Sequence, residues 1–164
     1  MRGLLGMVVV LWAGVCLGAN YRELTVAEKA AEGATHVVRV WADDLTNTTA
    51  GATQTVSVAT IGSNEAVSLV SMKLVKPFTE TNLPAAVTNL TVRMGDDANT
   101  TFYMTDTSLS ASNAPSWLSV GTGSQKVYTA ADTMDARFWS GATNTLAEWE
   151  DGEVWFYLRR LRRQ

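Results

Sequence analysis

Residues 153–161, EVWFYLRRL, decide the fold class. Val154, Phe156 and Leu158 alternate with Trp155, Tyr157 and Arg159. A period of two is what a sheet imposes, because successive side chains of a strand point to opposite faces. A helix would space its apolar residues three and four apart. The same period recurs towards the N-terminus. It marks Val37 to Trp41, Gln54 to Ile61, Leu90 to Met94, Thr101 to Thr105, Gln125 to Thr129 and Asp135 to Trp139 as short strands between Gly, Asn, Asp and Pro turns. Glu65 to Val75 is apolar on both faces, as in a strand covered on each side, and Pro77 is expected to limit how far it extends inside a sheet. Eight strands with almost no helix predict an all-β protein, an antiparallel β-sandwich of jelly-roll-like kind, in preference to an up-and-down barrel.

The one helical signal lies before these strands. Thr25-Val26-Ala27-Glu28 has capping-box spacing and Gly33 supplies a stop, so Val26 to Glu32 is expected to form two turns of helix outside the sheets. Residues 1–19 begin with Arg2 and continue as LLGMVVVLWAGVCLGA, which has the length and small-residue ending of a secretory leader, with cleavage after Gly18 or Ala19. The stretch is short for a spanning helix, so no stable membrane anchor is expected. The competing explanation is a misplaced start codon, or a segment buried in an assembly. The chain thus divides into a signal-like segment 1–19, an arm 20–33 with its helix, and a sandwich domain 34–164, which suits 164 residues with 46% apolar content.

Several function classes are disfavoured by composition. Cys16 is the single cysteine and lies in the leader-like segment, so neither a disulfide framework nor a cysteine metal site can be built. His36 is the single histidine and sits in a strand-like run, where it reads as a structural side chain. No G-x-S-x-G elbow occurs. The net charge of −3 argues against a nucleic-acid surface, although Arg159, Arg160, Arg162 and Arg163 crowd the C-terminus, either solvated or facing an acidic partner. Asp43-Asp44, Asp96-Asp97, Asp132 with Asp135, and Glu148-Glu150-Asp151-Glu153 are acidic clusters of the kind that hold calcium or hydrolyse glycosides. None has calcium-loop spacing and each reads first as turn chemistry, so no catalytic residue, metal ligand or cofactor is assigned. Three N-glycosylation sequons, at Asn47, Asn89 and Asn99, are expected by chance in so threonine-rich a chain.

Contact surfaces remain. With Val154, Phe156 and Leu158 inside, Trp155, Tyr157 and Arg159 make an outward aromatic and cationic stripe suited to protein contact or sugar stacking, unless that strand is buried on both faces. Trp117, in the Ser/Gly/Asn-rich connection 106–124, and Trp139, with Trp149, near turns, are further candidates.

Residues 31–46, AEGATHVVRVWADDLT, with LVSMKLVKPFTETN, LTVRMGDD, QKVYTAADTMDARF and the terminal GEVWFYLRRL, together resemble small virion structural proteins of tailed bacteriophages. The similarity runs from about Tyr21 to Leu161, and its most specific parts are VRMGDD and YTAADTMDARF. The resemblance implies a β-sandwich subunit on a particle, a head-decoration or tail-associated protein without enzyme activity, located in the virion. The expected partners are other protein subunits, in a homo-oligomer such as a trimer or against a capsid or tail protein. The alternative is an exported, periplasmic or extracellular, carbohydrate-binding or adhesion module.

Overall fold

The computed structural model describes residues 20–80, 89–109, 116–118, 125–141 and 143–162. The leader-like segment 1–19, Arg163 and most of the connection 106–124 lie outside the described residues. Among the described residues ten strands run in the order β1 (Asn20–Glu23), β2 (His36–Trp41), β3 (Thr53–Ile61), β4 (Glu65–Glu80), β5 (Thr91–Gly95), β6 (Met104–Ser108), β7 (Ser116–Leu118), β8 (Lys126–Tyr128), β9 (Asp132–Trp139) and β10 (Trp149–Arg162). They form two sheets. One has the order β1-β2-β10-β4-β7, with β8 also on β4; the other has the order β3-β9-β5-β6. Every pairing is antiparallel.

The protein is therefore all-β, in two layers around one core. Val38, Val40, Leu69, Met72, Leu74, Val154, Phe156 and Leu158 come from the first sheet, and Val58, Ile61, Val92, Met94, Met134 and Phe138 from the second; all belong to one buried cluster. Each fully buried aliphatic or aromatic side chain contributes about 1.5–3 kcal/mol relative to an exposed one. β10 is central in the first sheet because its whole length finds partners, from Trp149 opposite Glu80 to Arg162 opposite Glu65.

β4 departs from the expectation of a strand covered on both faces. Its inward residues are Val67 and Leu69, then Met72 and Leu74, so the inward parity changes once. The change falls at a bulge, where Tyr157 and Leu158 of β10 face Ser71 and Leu69 and leave Val70 as the extra residue. One strand with a slipped parity thus looks apolar on both sides. Nor does Pro77 end it. β4 continues to Glu80 because Pro77 falls in a second irregularity, where Glu153 pairs with Lys76 and Asp151 with Thr79, and the ladder there does not require its missing N–H. Gly152, at φ +144°, occupies the same irregularity, and a Cβ on it would stand 2.3 Å from the Phe78 ring.

The strand expected at Thr101 to Thr105 starts later, at Met104, because Asp96 and Asn99 hold the preceding residues in a turn. Asp96 Oδ1 accepts from the amides of Ala98 and Asn99, and Asn99 Oδ1 accepts from that of Thr101. β1 and β7 have no alternating pattern and form as short edge strands, β1 on β2 and β7 on β4. The arm is consequently part of the first sheet: β1 pairs with β2, and only helix α1 (Val26–Glu32) stands outside. Its capping box is closed, the Glu28 amide donating to Thr25 Oγ1 (3.3 Å) and the Thr25 amide to Glu28 Oε2 (2.9 Å). Gly33, at φ +66°, ends it.

Candidate interaction surfaces

Strand register converts the β10 stripe into rows across the outer face of the first sheet. Trp155 is opposite Arg39 of β2 and Lys73 of β4, and Lys73 is opposite Trp117 of β7. The row Arg39, Trp155, Lys73, Trp117 thus alternates cation and indole. Its members touch: the Arg39 guanidinium lies 4.3 Å from the Trp155 ring centre, and Lys73 Nζ 5.2 Å from that of Trp117. Trp155 is half-buried, and its indole N–H donates to Glu153 Oε1 (2.5 Å). Trp117 is half exposed, with its ring centre 5.3 Å from that of Tyr157.

The stripe does not reach solvent as a unit. Tyr157 is buried against Leu24, Ala34 and Val37, in a small second cluster roofed by the arm, and this burial pushes its hydroxyl pKa up. Arg159 is exposed, yet its guanidinium donates twice to the Gly33 carbonyl (2.9 and 2.6 Å), holding the end of α1. The structure therefore brings Trp117, Tyr157 and Trp155 together, assigns Tyr157 and Arg159 to holding the arm, and leaves Trp117 as the most accessible of the set.

Trp139 is elsewhere, on the outer face of the second sheet. It is 40% exposed, its indole N–H donates to the Gly51 carbonyl (3.1 Å), and it faces Thr53 of β3 and Thr91 of β5. One row along, Arg137 of β9 is directly opposite Arg93 of β5. Trp149 is buried, edge-on to Phe78.

The remaining ionisable groups are largely occupied with holding strands together. Arg160 donates to both oxygens of Glu65 (2.6 and 2.8 Å), to the Thr60 carbonyl (2.9 Å) and to the Tyr21 hydroxyl. Hydrogen bonding to Arg160 outweighs burial and holds the Glu65 carboxyl below its ordinary range. His36 stacks on Tyr21 (5.1 Å) and bonds Thr35 Oγ1 through Nδ1 (2.8 Å); burial, with Arg160 nearby, lowers its pKa. The arginine-rich end is thus fixed at Arg159 and Arg160.

Asp96 is fully buried and receives Lys126 Nζ (2.5 Å) and the Tyr128 hydroxyl (3.0 Å), which itself meets Tyr103 (2.7 Å). Burial raises the Asp96 pKa, but the bonds from Lys126, the Asn99 amide and Tyr128 more than offset it. In the C-terminal acidic cluster Asp151 pairs with Lys76 (2.6 Å), Glu153 holds Trp155, and Glu148 Oε2 accepts from the Thr145 amide (3.0 Å). Among the described residues no group of three or more His, Cys, Asp or Glu side chains is arranged to hold a metal ion.

Arg39, Lys73, Arg93 and Arg137 are the surface residues that sequence reasoning passed over. The alternation in LTVRM does place Arg93 opposite to Val92 and Met94, but its neighbours depend on cross-strand register. Comparison with known proteins gives no relative to set beside these surfaces: no family model, no curated protein and no solved structure matches the chain.

Proposed function

We propose that this chain is a non-enzymatic, jelly-roll virion structural subunit that acts through protein contacts, as a head-decoration or tail-associated protein. The observation that carries the proposal is the strand order. β2-β10-β4-β7/β8 against β3-β9-β5-β6 makes the chain cross between sheets after β2, β3, β4, β6, β8 and β9. That alternation is the order of two interlocked Greek keys, an architecture used by viral capsid and lectin domains. The resemblance over Tyr21 to Leu161 points the same way. The row from Arg39 to Trp117 supplies the contact surface, since Trp and Arg are enriched where proteins meet. Mass spectrometry of particles purified from cells carrying the intact gene neighbourhood tests this. The chain is expected at a fixed ratio to the coat protein, and particles that lack it would reject the assignment.

An exported glycan-binding or adhesion module is the second reading. It is favoured by the leader-like residues 1–19 and by Trp117, which stands half exposed beside Lys73 and Tyr157 as a stacking platform. Recovery from the producing cell of a mature chain beginning near Asn20 would support it over the first.

A further inference from the structure

On the outer face of the second sheet, Thr53, Thr91, Arg93, Asp106, Arg137 and Trp139 line a shallow depression of about 220 Å³. Its unusual feature is the arginine pair. Arg93 and Arg137 are Cα partners on adjacent strands, and like charges directly opposite one another destabilise a sheet. The protein does little to relieve this. Among the described residues Arg93 has no ion pair and no hydrogen bond. Arg137 reaches Asp135 and Asp97 only at 3.7 and 3.8 Å, the outer limit of ion pairing, and donates to the Asp96 carbonyl at 3.3 Å. Beside the pair stands Trp139, its ring held by the bond to Gly51.

From this geometry we infer a binding site for an acidic sugar, a pyranose bearing a carboxylate. The arginines take the carboxylate, whose two oxygens match a guanidinium fork. Trp139 offers an indole face to the ring, and Thr53, Thr91 and Asp106 offer polar groups to its hydroxyls. A singly charged carboxylate suits the site better than a phosphate, because Asp106 lines it, Asp97 and Asp135 stand near Arg137, and the chain is acidic as a whole. The volume lies below the roughly 300–1,000 Å³ of sites that enclose a drug-sized ligand, and so fits one ring of an exposed chain. The inference concerns a different face from the row on the first sheet and holds whether or not the chain belongs to a particle.

Titration calorimetry of the full chain with a galacturonate trisaccharide, against the neutral galactose trisaccharide, tests it. The acidic probe is expected to bind, and the neutral one to bind about tenfold more weakly or worse. Arg93→Gln is the decisive variant, because it removes a charge that has no partner among the described residues. It should leave the thermal melt no lower, and raise it slightly by removing the like-charge repulsion, while weakening binding by about tenfold or more. Trp139→Ala should also weaken binding, whereas Trp117→Ala, on the other sheet, should bind as the parent does. Absence of heat at millimolar probe, equal binding of the neutral sugar, parent-like binding by Arg93→Gln, or loss of binding in Trp117→Ala would each overturn the assignment.

Discussion

Replacing Arg160 with Met tests how the last strand is held to its own sheet and to β3 of the other. Arg160 places its guanidinium on Glu65, which is only 8% exposed, and on the Thr60 carbonyl of β3 and the Tyr21 hydroxyl of β1. Removing it strands a carboxylate that retains only the Gly62 amide (3.0 Å). Breaking a fully buried pair costs about 3–5 kcal/mol, and because both side chains keep some solvent contact here the expected loss is about 2–4 kcal/mol. With a urea m-value of about 2 kcal/mol/M, the unfolding midpoint followed by tryptophan fluorescence should fall by about 1–2 M at pH 7.

The pH dependence carries a definite sign. In the parent, the Glu65 pKa is lowered by Arg160, so its contribution is complete above the unfolded value of about 4.3 and is lost as pH falls through the folded value. In Arg160→Met burial, the largest remaining influence, is opposed only by the Gly62 amide and the weaker pull of Arg162, so the pKa moves up and acidification relieves the penalty. The gap between parent and variant should therefore shrink from pH 7 to pH 4, and Glu65→Gln in the same background should recover part of the loss. A gap independent of pH, together with additivity of the two substitutions within about 0.5 kcal/mol, would refute the argument.

Four further outcomes follow from the geometry. Gly152→Ala forces a Cβ into the Phe78 ring at a positive φ and should cost about 2–4 kcal/mol in chemical denaturation, whereas an unchanged midpoint would mean that β4 and β10 can part locally. Phe138→Ala, in the core between the sheets, should cost about 3–5 kcal/mol by the same measurement. Thr25→Ala opens the capping box, so hydrogen exchange should accelerate in α1 while the strands of the second sheet keep their protection. Glu28, held at about 2 first by Arg22 and then by Thr25, should titrate with a midpoint near that value by NMR; the arm's ion pair should persist above it and be lost only as pH falls through it.

Alternation was legible wherever one side of a strand faces the core. Val154, Phe156 and Leu158, Val92 and Met94, and Val38 and Val40 all lie inside as their spacing requires. The pattern failed where local chemistry or register intervened. β4 looked apolar on both sides because a bulge at Val70 switches its inward parity, and a bulge is a property of two strands together. β6 began late because Asp96 and Asn99 capture the amides that precede it. The outward stripe of β10 was identified as a stripe, but not that Leu24 and Ala34, on either side of α1, would bury Tyr157 and that Gly33 would engage Arg159.

The sequence by itself determined that the chain forms extended strands with one apolar face, and it located both ends of β2, β3, β5 and β8 to within a residue, because side-chain periodicity and turn chemistry are local properties. It also located the helix, through a cap whose partners lie three residues apart. Only the tertiary structure decided which strands became neighbours. It set Trp117 beside Tyr157, Lys73 beside Trp155, and Arg93 against Arg137, because pairs tens of residues apart in the chain meet only through hydrogen-bond register across a twisted sheet.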